Sequence, residues 1–188
     1  MSRFPTSLRL LADRAFESGP RTRALRRRVA EMVEDSAVLE VGCGFGANQP
    51  LCGPGYVGID VDPAAVSEAR RRVPGGTFLT WDLADRGPPA GRFDAALLCL
   101  TVHEASRPDR LLEEALNPAW PRLLILDFDP NLRGWLLLRE SLLERGKLGP
   151  YRRLKLVDLC QRAGWRLRDT GPVGGLFRWW DFRCGGTP

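Results

Sequence analysis

The run Ala37-Val38-Leu39-Glu40-Val41-Gly42-Cys43-Gly44-Phe45-Gly46 constrains this chain more than any other segment. A short apolar strand delivers an acidic residue, then three glycines at alternate positions, into a turn. Glycines there remove Cβ atoms where the backbone turns tightly and where a ligand approaches the main chain. Glu40 stands at the carboxyl end of the strand, the edge at which open α/β sheets bind ligands. A dinucleotide loop reads G-x-G-x-x-G and lays a pyrophosphate on the N-terminus of the following helix. Here the third glycine comes one residue early, and a carboxylate beside the loop repels phosphate and attracts a cation. The pattern favours a positively charged, amino-acid-bearing cofactor over a pyrophosphate.

The downstream spacing repeats the theme of strands that end on acids. Tyr56-Val57-Gly58-Ile59-Asp60 is a second apolar strand, followed by Val61-Asp62-Pro63, where Pro63 suits the first turn of a helix. Thr77-Phe78-Leu79-Thr80 leads to Trp81-Asp82-Leu83, and Phe93-Asp94 opens a fourth strand through Leu100 that leads to Thr101-Val102-His103-Glu104. Together these residues resemble the class I S-adenosylmethionine-dependent methyltransferases, whose first motif is hydrophobic-E/D-x-G-x-G-x-G. The resemblance implies S-adenosyl-L-methionine as cofactor and S-adenosyl-L-homocysteine as product. It implies that Glu40, Gly42, Gly44 and Gly46 form the cofactor loop, that Asp60 accepts hydrogen bonds from both ribose hydroxyls, and that Val61 lies against adenine. Asp82 then receives the adenine amino group, and Leu83 and Cys99 complete the cofactor wall.

Gly46-Ala47-Asn48-Gln49-Pro50 is similar to a continuation found in the ubiquinone/menaquinone-type branch of that family, as is Val102-His103-Glu104. Two prolines and two glycines between Gly46 and Tyr56 limit the helix after the glycine loop to a turn or two. Asn48 either bonds the amino-acid end of the cofactor or closes a local turn. Cys43, small and between two glycines, reads as inert filling.

The chain has 188 residues, 44% hydrophobic and 27% charged, which fits a single soluble domain able to bury one core. Its expected parts are an N-terminal helical cap over 1–35, a cofactor-binding core over 36–128, and acceptor-side helices with a closing hairpin over 129–188. No apolar run reaches membrane-spanning length, and the amino terminus lacks the apolar core of a signal peptide. Five cysteines with no C-x-x-C pair, and a single histidine, give no reason to expect a metal site. The odd cysteine count agrees with reduced thiols in a cytoplasmic protein.

A net charge of +5 raises the question of nucleic acid. Much of the excess lies in Arg21, Arg23, Arg26, Arg27 and Arg28, on a helix expected from about Thr22 to Glu34 whose apolar stripe is Leu25, Val29, Met32 and Val33. That stripe makes the arginines the solvent face of a docked helix, so nucleic acid is not the expected partner. Peripheral contact with an anionic membrane surface is a second reading of the same charge.

The remaining pattern alternates strand and helix. Helices are expected over Leu8–Phe16, Ala64–Arg72, Arg110–Leu116, Leu132–Arg145 and Leu154–Ala163. Leu123–Phe128 supplies a fifth, doubly buried strand, and Trp165–Thr170 and Phe177–Phe182 close the sheet. The expected fold is α/β: a Rossmann-like, doubly wound seven-stranded sheet, mostly parallel with a C-terminal antiparallel hairpin, and helices on both faces.

His103, just past the fourth strand, stands where an acceptor enters, and its ordinary pKa near neutrality suits a general base. Pocket shaping is the competing role. Glu104 either orients His103, binds substrate, or is a solvated carboxylate. Trp135 to Leu138, Phe4, Tyr151 and Trp179-Trp180 offer apolar walls, so the expected partner is a small apolar acceptor methylated at oxygen, carbon or sulfur by a monomer or homodimer. Two alternatives remain: a non-methylating S-adenosylmethionine-binding protein of the same fold, and an RNA methyltransferase.

Overall fold

The apolar runs of the sequence pair into one seven-stranded sheet in a computed structural model that describes residues 19–131, 151 and 154–185. The strands are β1 (Val38–Val41), β2 (Val57–Asp60), β3 (Thr77–Thr80), β4 (Ala95–Cys99), β5 (Arg122–Phe128), β6 (Trp165–Val173) and β7 (Phe177–Cys184). Their spatial order is β3-β2-β1-β4-β5-β7-β6. The first five are parallel, while β7 lies antiparallel between β5 and β6. All five residues of β4 are buried, as are six of the seven in β5, which explains their unbroken apolar character.

Five helices accompany the sheet among the described residues: α1 (Pro20–Val33), α2 (Pro63–Arg72), α3 (Leu83–Arg86), α4 (Pro108–Ala115) and α5 (Leu156–Arg162). Each of α1, α2 and α4 opens with proline, whose missing N–H costs nothing in a first turn. Chain direction across the sheet reverses after β3, so right-handed crossovers place α2 and α4 on opposite faces. The reversal leaves a crevice between the carboxyl ends of β1 and β4, the place where such sheets bind ligands.

The glycine loop is followed only by a 3-10 turn at Gln49–Leu51, as its prolines require. Strand β6 runs three residues beyond the expected Thr170, past a bulge between Leu167 and Asp169. The helices expected over Leu8–Phe16 and Leu132–Arg145 lie outside the described residues, as do Phe4 and Trp135 to Leu138.

Helix α1 buries Thr22, Leu25, Val29, Met32 and Val33. Arg122 at the start of β5 donates from Nη1 to the Met32 carbonyl at 2.6 Å and forks onto Asp181 with two bonds of 3.0 Å, fixing the helix C-terminus at the amino edge of the sheet. At the other end the Arg21 main chain packs on the turn between β6 and β7, so closely that a Cβ on Gly174 would stand 2.9 Å from the Arg21 carbonyl oxygen. The helix thus begins at the carboxyl edge. Its arginines do not form one solvent face: Arg23 and Arg27 are exposed, Arg26 is half-buried, and Arg28 stacks over Trp179, 3.9 Å from the ring centroid.

Candidate cofactor and acceptor site

The turn after β1 is held from below and open above. Gly42, at φ +76, leaves no room for a side chain, since a Cβ would stand 2.3 Å from Thr101 Cγ2. The Thr101 hydroxyl donates within a cluster of carbonyls from Val41, Gly42 and Cys99, at 3.2, 3.4 and 3.2 Å, and so joins the ends of β1 and β4. Gly44, at φ +52, has nothing within 4 Å of its would-be Cβ. The main chain at Gly44 is therefore bare. Gly46 lies against the Phe78 ring.

Glu40 is only 1% exposed. Asn48 Nδ2 donates to its Oε1 at 2.7 Å, and the Tyr56 hydroxyl to its Oε2 at 2.5 Å. Gly58 makes this reach possible, because a Cβ there would come within 2.8 Å of the Tyr56 hydroxyl. Burial pushes the Glu40 carboxyl up to about 7, against the pull of its bonds to Tyr56 and Asn48; Asp60 raises it further and Arg26 lowers it. Glu40 thus supports the turn from beneath and ties it to β2. The Asn48 side chain reaches back eight residues to Glu40 on β1, a partner named in neither of the two roles weighed for it.

Asp60, at the end of β2, takes the Gly44 N–H on Oδ2 and the Asp62 N–H on Oδ1, both at 2.9 Å. Each oxygen keeps a lone-pair direction for a further donor. Val61 beside it is 66% exposed, a large apolar side chain turned to solvent. Asp82 caps α3 by accepting the Ala84 N–H at 2.9 Å, while Leu83 packs inward. Cys99 closes β4 with its thiol raised by burial, as are those of Cys43 and Cys160. All five cysteines are free.

His103 sits in the turn after β4, 4% exposed. Leu100 enters this turn in the left-handed region at φ +57, a conformation that costs a non-glycine residue about 1–2 kcal/mol. The His103 Nδ1 lies 2.6 Å from Oδ1 of Asp127 on β5, a carboxylate with no solvent exposure. Phe128 meets the imidazole edge-on at 4.7 Å between centroids, and Tyr151 at 6.5 Å, its hydroxyl donating to the Phe128 carbonyl at 2.6 Å. Glu104 is exposed at the surface of the turn. Sequence reasoning placed Glu104 beside His103 and passed over Asp127; the available signal was an acid inside the apolar run Leu123–Phe128. Trp179 and Trp180 are buried in β7 against β6.

Among the described residues no cluster of three or more histidines, cysteines or acids is placed to hold a metal ion, and no helix is long and apolar enough to cross a membrane.

Residues 39–118 match the methyltransferase domain family. No curated protein matches the chain in sequence. Among solved structures, a S-adenosylmethionine-dependent methyltransferase from Aquifex aeolicus superposes with a TM-score of 0.67 at 21% identity, covering 92% of this chain and 97% of that one. Magnesium protoporphyrin IX methyltransferase from Synechocystis, solved with S-adenosylhomocysteine, gives 0.62 at 20% identity over 86% and 82%. The mitomycin 7-O-methyltransferase gives 0.69 at 23% identity over 94% of this chain and 57% of that longer one.

Proposed function

We infer that this chain, whose residues 39–118 match the methyltransferase domain family, is a S-adenosylmethionine-dependent methyltransferase that acts on a small apolar acceptor. The observation that carries the reading is the bare main chain at Gly44, bonded to Asp60 at the mouth of the crevice between β1 and β4. Such a cradle fits an adenosyl group whose ribose hydroxyls donate to the remaining lone pairs of Asp60 and whose base covers Val61. Asp82 stands at the next strand end for the adenine amino group, with Leu83 and Cys99 as wall. The ionised form of Glu40 attracts the ammonium of the amino-acid end from beneath the turn, while its bond to Asn48 fixes the turn itself.

S-adenosyl-L-methionine supplies an electrophilic methyl carbon, so the protein has chiefly to align an acceptor atom and exclude water. His103 takes a proton from a hydroxyl or thiol acceptor, and Asp127 orients it. Phe128 and Tyr151 against the imidazole, with Phe177 packed on Phe128, supply an apolar wall. That wall supports an apolar acceptor, with transfer to oxygen, carbon or sulfur, and Glu104 stands at the rim. The residues Gly46 to Pro50 and Val102 to Glu104 support a place in the ubiquinone/menaquinone-type branch.

The test is incubation with methyl-labelled S-adenosylmethionine and a panel of phenols, hydroxyquinones and thiols. Acceptor-dependent formation of S-adenosylhomocysteine is expected. Calorimetry that finds no binding of either cofactor form removes the reading.

A further inference from the structure

The register of the last three strands gathers arginines away from the cofactor crevice. Arg122 on β5 pairs with Arg183 on β7, and Arg183 pairs with Arg166 on β6, so three guanidinium side chains form one rung on one face of the sheet. Neighbours in such a rung stand about 4.8 Å apart across the strands. The bulge between Leu167 and Asp169 adds Arg168 beside the rung. Arg122 opens β5, which places the rung at the edge of the sheet opposite the crevice.

Like charges directly opposite each other destabilise a sheet unless a counter-charge joins them. Asp181, the next residue of β7 on that face, supplies part of it. Both of its oxygens are taken by Arg122 at 3.0 Å, and Arg183 Nε stands farther off, 3.9 Å from Oδ1. Burial, Arg122 and Arg168 hold the Arg183 guanidinium below its usual range, against the pull of Asp181. Asp169 takes the Thr170 N–H on Oδ1 and makes no ion pair among the described residues.

Arg166 and Arg168 are exposed and make no hydrogen bond or ion pair among the described residues. Arg183 keeps 38% of its side chain exposed, so a ligand can reach it. Four arginines thus share two carboxylates, and one of those carboxylates is already spent on Arg122.

We propose that Arg166, Arg168 and Arg183 form a binding site for a small phosphate-bearing anion, remote from the cofactor crevice. Guanidinium groups present paired N–H donors that match phosphate oxygens, and here they rise from paired strands. The register also sets the size of the anion. The rung beyond the basic one is Asp169 opposite Asp181, so a long polyanion laid along the strands runs onto two carboxylates. One or two phosphoryl groups fill the basic rung and stop there. Arg122 also clamps the Met32 carbonyl, so an anion that relieves the rung holds the end of α1 more firmly. Inorganic pyrophosphate and a nucleoside diphosphate carry the same chemistry.

The test is calorimetric titration of the wild-type protein with inorganic pyrophosphate and with uridine diphosphate at fixed ionic strength, with Tm measured alongside. Saturable binding of pyrophosphate and a raised Tm are expected. Tighter binding of uridine diphosphate assigns the site to a nucleotide, and equal binding assigns it to the phosphate groups alone. Arg166→Gln combined with Arg168→Gln is expected to weaken pyrophosphate by about 10- to 100-fold, as for lost charge-assisted hydrogen bonds, while lysine at both positions keeps part of the affinity. Both positions are exposed, so the double variant is expected to melt no lower than the wild type without ligand. A wild type that shows no saturable binding beyond matched sodium chloride overturns the site, whatever the variants do. Pyrophosphate binding that survives in the glutamine variant overturns it too, since the anion then sits elsewhere. Binding of an RNA oligonucleotide or of anionic vesicles without binding of pyrophosphate also overturns it, and marks the rung as part of a macromolecular surface.

Discussion

Asp127 faces His103 with both oxygens: the His103 main-chain N–H donates to Oδ2 at 3.1 Å, and Nδ1 stands 2.6 Å from Oδ1 without the alignment of a hydrogen bond. A carboxylate facing Nδ1 favours the tautomer with hydrogen on that nitrogen and the lone pair on Nε2. With β4 and β5 adjacent in the sheet, the pair is rigid on both sides.

His103→Ala is expected to lower turnover by about 10²- to 10⁴-fold with cofactor affinity almost unchanged. Asp127→Asn removes the negative charge behind the ring and is expected to cost about 10- to 100-fold. Rate profiles of both variants against pH check this. A loss of only a few fold in each assigns His103 to the pocket wall, as expected for an acceptor already ionised in solution.

Gly44→Val is expected to abolish cofactor binding in a folded protein, because its side chain enters the open face of the turn. Its left-handed φ adds about 1–2 kcal/mol of strain, visible as a lowered Tm. Gly42→Val puts atoms into Thr101 and is expected to destabilise the fold itself. A circular-dichroism melt and a binding titration on the two variants separate these outcomes.

Asp60→Ala is expected to weaken S-adenosylhomocysteine by about 1.5 to 3 kcal/mol. Asp60 also ties down Gly44, so part of the loss reflects a loosened turn. Calorimetry with unchanged affinity removes Asp60 from the ribose.

Glu40 makes stability depend on pH with an unusual sign. Its carboxyl titrates near 7 in the folded protein against an ordinary 4.5, so between those values the folded chain holds a proton that the unfolded chain has lost. Stability is full below pH 4.5 and falls as pH rises to 7, by up to about 3 kcal/mol, then levels off. Urea unfolding at pH 5 and pH 8 is expected to show this drop in the wild type and not in Glu40→Gln. Tyr56→Phe removes a bond that lowers the Glu40 pKa and is expected to extend the fall to higher pH.

Much of this site was readable without a structure because its residues are local to strand ends. The acids Glu40, Asp60 and Asp82 each follow an apolar run and precede a turn, and the sheet order then brings those ends into one row. What was hidden depends on neighbours distant in sequence. His103 was visible as a lone histidine past β4, but Asp127 arrives from 24 residues away on the next strand. The Glu40–Tyr56 bond needs Gly58 to clear its path, which no local pattern announces. The basic rung of Arg122, Arg183 and Arg166 exists only through the register of three strands, and none of those residues stands out in the sequence.

The three-residue turn Gln49–Leu51 also has an electrostatic consequence. A full helix in that place would point about half a positive charge at the loop. A single 3-10 turn with Pro50 in it supplies little of that field, so the acids at the loop meet at most single backbone N–H groups, as Asp60 does, and no helix dipole. A sulfonium donor is one charge more positive than the thioether left after transfer. An acidic pocket of this kind is expected to hold the spent cofactor less firmly than the fresh one, and calorimetry with both forms checks it.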